Sequence, residues 1–508
     1  MLKRLSFFTV LMGSVMFFQA MGCGGSNSSP VPVVSMTLTV DVSGAGTGTV
    51  TSNAGGISCT NTGGTCSADY TLSSPVTLTA TPDAGYVFHA WIGSTCTGTV
   101  AANCNLAVTA DTTIQASFTP IIFSSNRSLD GLDNGAATTV QNIWLVKTDG
   151  TGLTALTQSV TPSVVSYWPE WSPDGTQIIF SSNRNLDASN NGVLSTSDNI
   201  WLMNADGSGL TPLTQATQAT SAYPKWSPNG QQIAFESDMS LTDPDPDSTP
   251  NDATNIWLMN ADGTNQDALT SVTTPSADST NLQWSPNGQQ IVFASFRNLD
   301  ESNSGALSSQ NIWVIDVGDL DLQSLTQVTA VGVSSDLPQW SSNGNNIVFS
   351  SNRNLDETNT GAPNLAENIW VMSSEGIELT ALTEVTSSGA DSVAGTWNPT
   401  GTAIAYRSLR NLDGTNTGSA STTSNVWLVN LSGVSDPLTE LSLSNAQRPK
   451  WSTDGSVITY SSDRNLSAVD SDPANLASNI WTMSANGANT FAVTESTTAL
   501  VQSIMPIW

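Results

Sequence analysis

Apolar and polar residues alternate with period two along most of the chain, in short runs interrupted by turn residues. Met36-Thr37-Leu38-Thr39-Val40, Val76-Thr77-Leu78-Thr79-Ala80 and Thr113-Ile114-Gln115-Ala116-Ser117-Phe118 carry this pattern in the first quarter. Such alternation, broken by Gly clusters, predicts strands with one buried face, here a small antiparallel β domain. From Ile121 onward the pattern becomes a repeated word. Its fullest form reads P-x-W-S-P-D-G-x-x-I-x-F-S-S-N-R-N-L-D, a polar loop, then N-I-W-L-M-N-A-D-G and L-T-x-L-T. The first Trp of the word falls at Trp171, Trp226, Trp284, Trp340, Trp397, Trp451 and Trp508. The second falls at Trp144, Trp201, Trp257, Trp313, Trp370, Trp427 and Trp481. Each word holds four strands: a (P-x-W-S), b (I-x-F-S-S), c (N-I-W-L-M) and d (L-T-x-L-T). A near-constant step of 54 to 58 residues filled in this way predicts a ring of like sheets.

The repeat region opens on a b strand, Ile121 to Ser125, and ends on a lone a strand, Met505-Pro506-Ile507-Trp508. The last strand is therefore expected to complete the first sheet and leave no free edge. The expected fold class is all-β: a seven-bladed β-propeller over residues 121–508, closed by the C-terminal strand. A small disulfide-bonded β domain over residues 34–119 precedes it.

Charge and cysteine usage narrow the setting. A formal net charge of −29 repels phosphate backbones, which excludes nucleic acid as an expected partner. Lys3 and Arg4 precede an uncharged apolar run, Leu5 to Phe18, too short for a stable span; residues 1–22 read as a cleaved export signal. Residues 23–33 then form a flexible linker. With Cys23 set aside, Cys59, Cys66, Cys96 and Cys104 make an even set in an exported chain. Each local pair flanks a Gly/Asn/Thr-rich turn, which favours Cys59 with Cys66 and Cys96 with Cys104, though four cysteines permit three pairings.

Three resemblances follow from these residues. Ala20-Met21-Gly22-Cys23 resembles a bacterial lipobox, departing from it at Ala20, which implies lipidation of Cys23; plain secretion with a cut nearby is the alternative. Gly24 after Cys23 is not a retention Asp, and implies the outer membrane. The G-x-G-T-V-T-S pattern, the four cysteines and T-L-T-A-T-P-D-A-G-Y-x-F-x-x-W resemble bacterial modules related to the internalin B-repeat, implying a spacer or adhesion module. The word W-S-P-D-G-x-x-I-x-F-S-S-N-R resembles the WD-like propeller repeat of TolB and its relatives. TolB has six blades and an α/β domain, so its role is not carried over.

Candidate chemistry is sparse. The single His is His89, in the small domain, and the repeat region has neither His nor Cys. Triads, Cys-His dyads and His-ligated metals are thereby excluded there. The aligned tryptophans are expected to fill the wedges between sheets. Arg127, Arg184, Arg297, Arg353, Arg410 and Arg464 recur after strand b, with Met239 in their place once; a pair with the Asp three residues on, or bonds to loop carbonyls, is expected. Five b–c loops read L-D-x-x-[D/N]-x-G. They place Asp130 and Asp133, Asp187 and Asn190, Asp300 and Asn303, Asp356 and Asn359, and Asp413 and Asn416. Oxygen ligands beside a Gly bend suit Ca²⁺, the one cofactor admitted, while an Asx-stabilised turn explains the same residues.

The expected function is a lipid-anchored envelope protein, not an enzyme and monomeric. Its propeller would be a non-catalytic scaffold for a protein, peptide or glycan, with the lipid as its only membrane contact. A polysaccharide-active enzyme is the second expectation; it requires carboxylates that break the repeat and meet at the channel, or a metal there. A structural spacer is the third.

Overall fold

The computed structural model describes residues 34–93, 102–129, 137–186, 195–243, 248–300, 306–356, 362–413, 420–467 and 474–508. Among these the chain is all-β, with no helix.

The small domain packs two sheets face to face. One has the order Ser67–Thr71, Ser35–Ser43, Thr112–Thr119, Val87–Ile92; the other has Gly63–Thr65, Ser58–Thr60, Gly48–Ser52, Ser74–Pro82, Asn103–Val108. The alternating residues meet between them: Leu38, Val40, Val50, Val76, Leu78, Phe88, Trp91, Ile114 and Phe118 are all buried in one core. The expected antiparallel domain needs a correction. Ser35–Ser43 and Thr112–Thr119 run parallel, with Leu38 opposite Thr112. Alternation reports which face of a strand is buried and carries no information about its neighbour's direction. Cys59 and Cys66 form a disulfide. Cys104 is disulfide-bonded as well, and Cys96 lies outside the described residues.

The repeat region forms four-stranded sheets in the order a-b-c-d, for example Ser166–Trp171, Gln177–Ser182, Asn199–Asn204 and Thr211–Pro212. Six such sheets follow one another along the chain. A further sheet is assembled from both ends: Ile121–Ser125, Asn142–Val146 and Thr154–Ala155 take Ser503–Ile507 as their a strand, with Ile122 opposite Ile507. Each b strand packs on the a strand of the next sheet, and Val457–Ser462 packs on Ser503–Ile507.

The repeated letters have repeated tasks. The c-strand Asn accepts bonds from a d-strand Thr hydroxyl and from the backbone beyond it; Asn199 Oδ1 takes Thr214 Oγ1 at 2.9 Å and Ala216 N at 2.9 Å. This network recurs at Asn142, Asn255, Asn311, Asn368, Asn425 and Asn479. The a-strand Trp reaches across to the previous sheet. Trp284 Nε1 donates to Lys225 O at 3.1 Å, and Trp508 Nε1 to Lys450 O at 3.3 Å.

The small domain sits on the face made by the a–b and c–d turns. Ala45 N donates to Gly175 O at 3.0 Å, Ser117 Oγ to Pro173 O at 3.0 Å and Thr148 N to Gly85 O at 3.0 Å. A Cβ at Gly175, whose φ is +65°, would come within 2.9 Å of Thr119. His89 lies in this contact with Nε2 3.1 Å from Ser172 O. Burial pushes its pKa down to about 4, so it is neutral at pH 7. The long b–c loops leave from the opposite face.

The central channel as candidate functional site

Every a strand contains the same irregularity. Its register against strand b slips after the second residue, as between Tyr167 and Glu170. The third residue adopts a left-handed backbone in all seven: Trp168, Tyr223, Asn281, Leu337, Ala394, Arg448 and Met505 have φ between 53° and 58°. A β-bulge of this kind re-aims a side chain. The residue after it is Pro in five sheets (Pro169, Pro224, Pro338, Pro449, Pro506), a residue suited to a bulge because it has no N–H to place in the ladder. All seven left-handed residues line one cavity of about 370 Å³, the channel on which the a strands converge. A non-Gly residue in this conformation costs of order 1 kcal/mol or more, and such strain clusters at binding sites.

Part of that strain is supported by the neighbouring b strand, at the middle residue of F-S-S. Ser181 Oγ accepts the bulge N–H of Tyr223 at 3.1 Å, and Ser350 Oγ that of Ala394 at 3.1 Å. Glu236 replaces that Ser in its sheet and accepts Asn281 N at 2.6 Å. Ala294 has no acceptor to offer, and Asp336 takes over, accepting Leu337 N at 2.8 Å and Asn281 Nδ2 at 2.8 Å. Arg407 also replaces the Ser, and a guanidinium can only donate. Burial raises the pKa of Glu236 to about 8, so this carboxyl holds its proton near neutral pH. Burial raises that of Asp336 too.

The channel carries cations in an acidic protein. Lys225, Arg407, Arg448 and Lys450 line it. Lys225 Nζ is 2.5 Å from Glu170 Oε2. Arg448 lies over the Trp168 ring at 5.2 Å, and Trp168 stands 4.9 Å from Tyr223 with the rings tilted by 43°, so three side chains follow one another along the channel lining. Burial, then the nearby Lys225 charge, depress the Lys450 pKa to about 8.

Of the residues expected to bind Ca²⁺, three lie among the described residues, and none of the three lines the cavity. Asp130, Asp133, Asp187, Asn190, Asn303, Asn359 and Asn416 lie outside the described residues, as does Cys23. Asp300, Asp356 and Asp413 are exposed at the starts of their loops. Asn298 Nδ2 donates to Asp300 Oδ2 at 3.0 Å, a contact local to the turn. Among the described residues no cluster of three metal-ligating side chains occurs. The recurrent Arg gains a partner that was not expected. Its guanidinium lies over the c-strand Trp: Arg184 over Trp201 at 5.5 Å, Arg353 over Trp370 at 5.2 Å, Arg410 over Trp427 at 4.0 Å. Arg184 Nη2 also donates to Ser166 Oγ at 3.1 Å.

Comparison with known proteins bears on both parts of the chain. Residues 38–122 match the divergent InlB B-repeat domain. The small domain is a module of that family. Over 124 residues the chain is 30% identical to the uncharacterized peptidase YuxL of Bacillus subtilis. The match takes in 24% of this chain and 16% of YuxL. A putative TolB from Agrobacterium tumefaciens is similar in structure at 17% identity and a TM-score of 0.38, with 60% of this chain and 91% of that one covered. The β-propeller domain of the Trilobed protease from Pyrococcus furiosus is similar at 11% identity and a TM-score of 0.43, covering 70% of this chain and 90% of that one. The expectation that the chain is not an enzyme is corrected by the YuxL match, since the relative sharing that stretch is named a peptidase. That expectation rests on the missing His and Cys of the repeat region, with carboxylate chemistry at the channel kept as the second expectation. Among the described residues no helix is long and apolar enough to cross a membrane.

Proposed function

We propose that residues 121–508 form a closed seven-bladed propeller whose channel binds a peptide, carried on an exported chain anchored at the outer membrane through Cys23. The observation that carries this reading is the ring of left-handed residues: one backbone position, seven sheets, seven different amino acids. A repeat conserved for packing has no reason to diversify at one inward position, whereas a binding site does. The cavity of about 370 Å³ falls in the usual size range for a ligand pocket. Its aromatic, amide and charged groups match the mixed chemistry of a peptide, and the kinship with YuxL points the same way. Retention of a mixed tetrapeptide pool on the immobilised full chain, lost in Trp168→Ala/Tyr223→Ala, tests the channel. Loss of membrane association in Cys23→Ser tests the anchor.

A second reading is a reaction driven by carboxylates on a glycan, favoured by Glu236. It breaks the repeat, lines the channel and keeps a proton near pH 7, as a general acid must. Glycan hydrolysis by the wild type that Glu236→Gln abolishes would replace the first reading.

A further inference from the structure

We propose that the channel selects acidic peptide segments, with the side-chain carboxylates held by Arg407, Arg448 and Lys450. This rests on the peptide reading above and adds the ligand's charge to it.

The distribution of basic residues motivates the assignment. The chain has 13 Lys and Arg against 42 Asp and Glu. Lys3 and Arg4 belong to the leader. Six arginines lie on the c-strand tryptophans. Lys147 lies over Tyr86 at the contact between the domains. The remaining four, Lys225, Arg407, Arg448 and Lys450, all line one cavity. Four cations gathered in a single concavity of so acidic a protein are not explained by solubility, and they focus potential toward an entering anion.

Among the described residues, three of the four make no contact ion pair, though Glu367 lies near enough to Arg407, and Glu170 to Lys450, for the charges to interact. The fourth, Lys225, is paired with Glu170. Nε of Arg407 is buried without a hydrogen-bond partner. Glu236 is the one carboxyl in the lining; it is turned to the Asn281 backbone and protonated near neutral pH. Arg407 moreover stands where other sheets place an acceptor for the bulge N–H. Ser181, Ser350 and Glu236 accept that N–H, Ser124 and Ser461 do not, Ala294 cannot, and Arg407 is the one basic side chain in this position.

The geometry suits more than one carboxylate. Arg407 and Arg448 present planar forks that can hold a carboxylate with two bonds each, and Lys450 adds a point charge. An anion beside Lys450 also relieves the burial that weakens its protonation. The Trp168–Tyr223 pair offers an apolar surface alongside for the rest of the segment.

The test compares two capped peptides on the intact chain by calorimetry: acetyl-Ala-Glu-Glu-Ala-amide and the same peptide with Gln for both Glu. The acidic peptide should bind about tenfold tighter or more, as expected for charge-assisted bonds. Arg407→Gln/Lys450→Met should remove that preference and leave the weaker Gln peptide unchanged, with the melting temperature as folding control. Equal binding of the two peptides, or a preference that survives the double substitution, overturns the acid selectivity and leaves the peptide channel standing. Binding of neither peptide overturns both, as does tighter binding of a trigalacturonate, whose carboxylates belong to a glycan.

Discussion

Two positions in each blade invite comparison. One is the c-strand Trp, identical in all seven sheets, buried in all, and covered by an Arg in six. In the remaining sheet Met239 takes the place of the Arg and packs in the same cluster as Trp257, a polarisable side chain against an indole. The other is the bulged a-strand residue, identical in backbone and different in side chain every time. The first shows a side chain chosen by the space it must fill. The second shows a backbone chosen to present a side chain, with the identity left to what it meets. Sameness around the ring therefore marks scaffold, and variation at a fixed backbone marks the site.

Substitutions at the two positions should separate these roles. The largest effect is expected from Trp370→Ala, at a fully buried position, where truncation should cost about 3–5 kcal/mol in urea unfolding. Trp168→Ala should cost below about 1 kcal/mol, because its side chain borders the channel instead of filling a core. Equal costs would erase the distinction. Next comes Glu236→Gln, at a site that belongs to the channel yet supports a bulge. The folded protein keeps the Glu236 proton to about pH 8, while the unfolded chain releases it near the ordinary carboxylate value. The stability it contributes is present below the unfolded value and lost as pH rises through about 8, a change on the order of 5 kcal/mol. The Gln variant should flatten that slope; an unchanged slope would mean the carboxyl is ionised in the fold. Arg353→Lys should cost about 1 kcal/mol, since an ammonium retains the charge over Trp370 and loses the planar stack. The smallest effect is expected from EDTA, with no movement of the melting temperature. A drop of several degrees would make the b–c loops ion sites, because only a ligand of the native state stabilises it in this way.

Much of the scaffold is legible in the chain itself. Repeated Trp, Asn-Ile-Trp and Asp-Gly letters report packing, a hydrogen-bond clamp and a turn, each decided within a few residues. The parallel pairing of Ser35–Ser43 with Thr112–Thr119 was not legible, because neighbour direction is set by the whole topology. The channel was hidden for a different reason. Its signal was the absence of repetition at the residue before the conserved Pro, and at Glu236 and Arg407 where Ser is the rule. An aligned column that changes looks like noise until the backbone shows that it points inward. The Trp that the recurrent Arg covers was not legible because it lies on the next strand, whereas the Asp lies near the Arg in sequence.

The pairing of Ile122 with Ile507 also has a temporal consequence. Ile121–Ser125 leaves the ribosome well before Ser503–Ile507 and must wait for it. Until then its edge stays open to any other strand in reach, the circumstance in which partly made β chains associate wrongly. Such long-range contacts slow folding as well. A chain built in this way is expected to depend on holding factors until that pairing is made, more than its stability, once complete, would suggest.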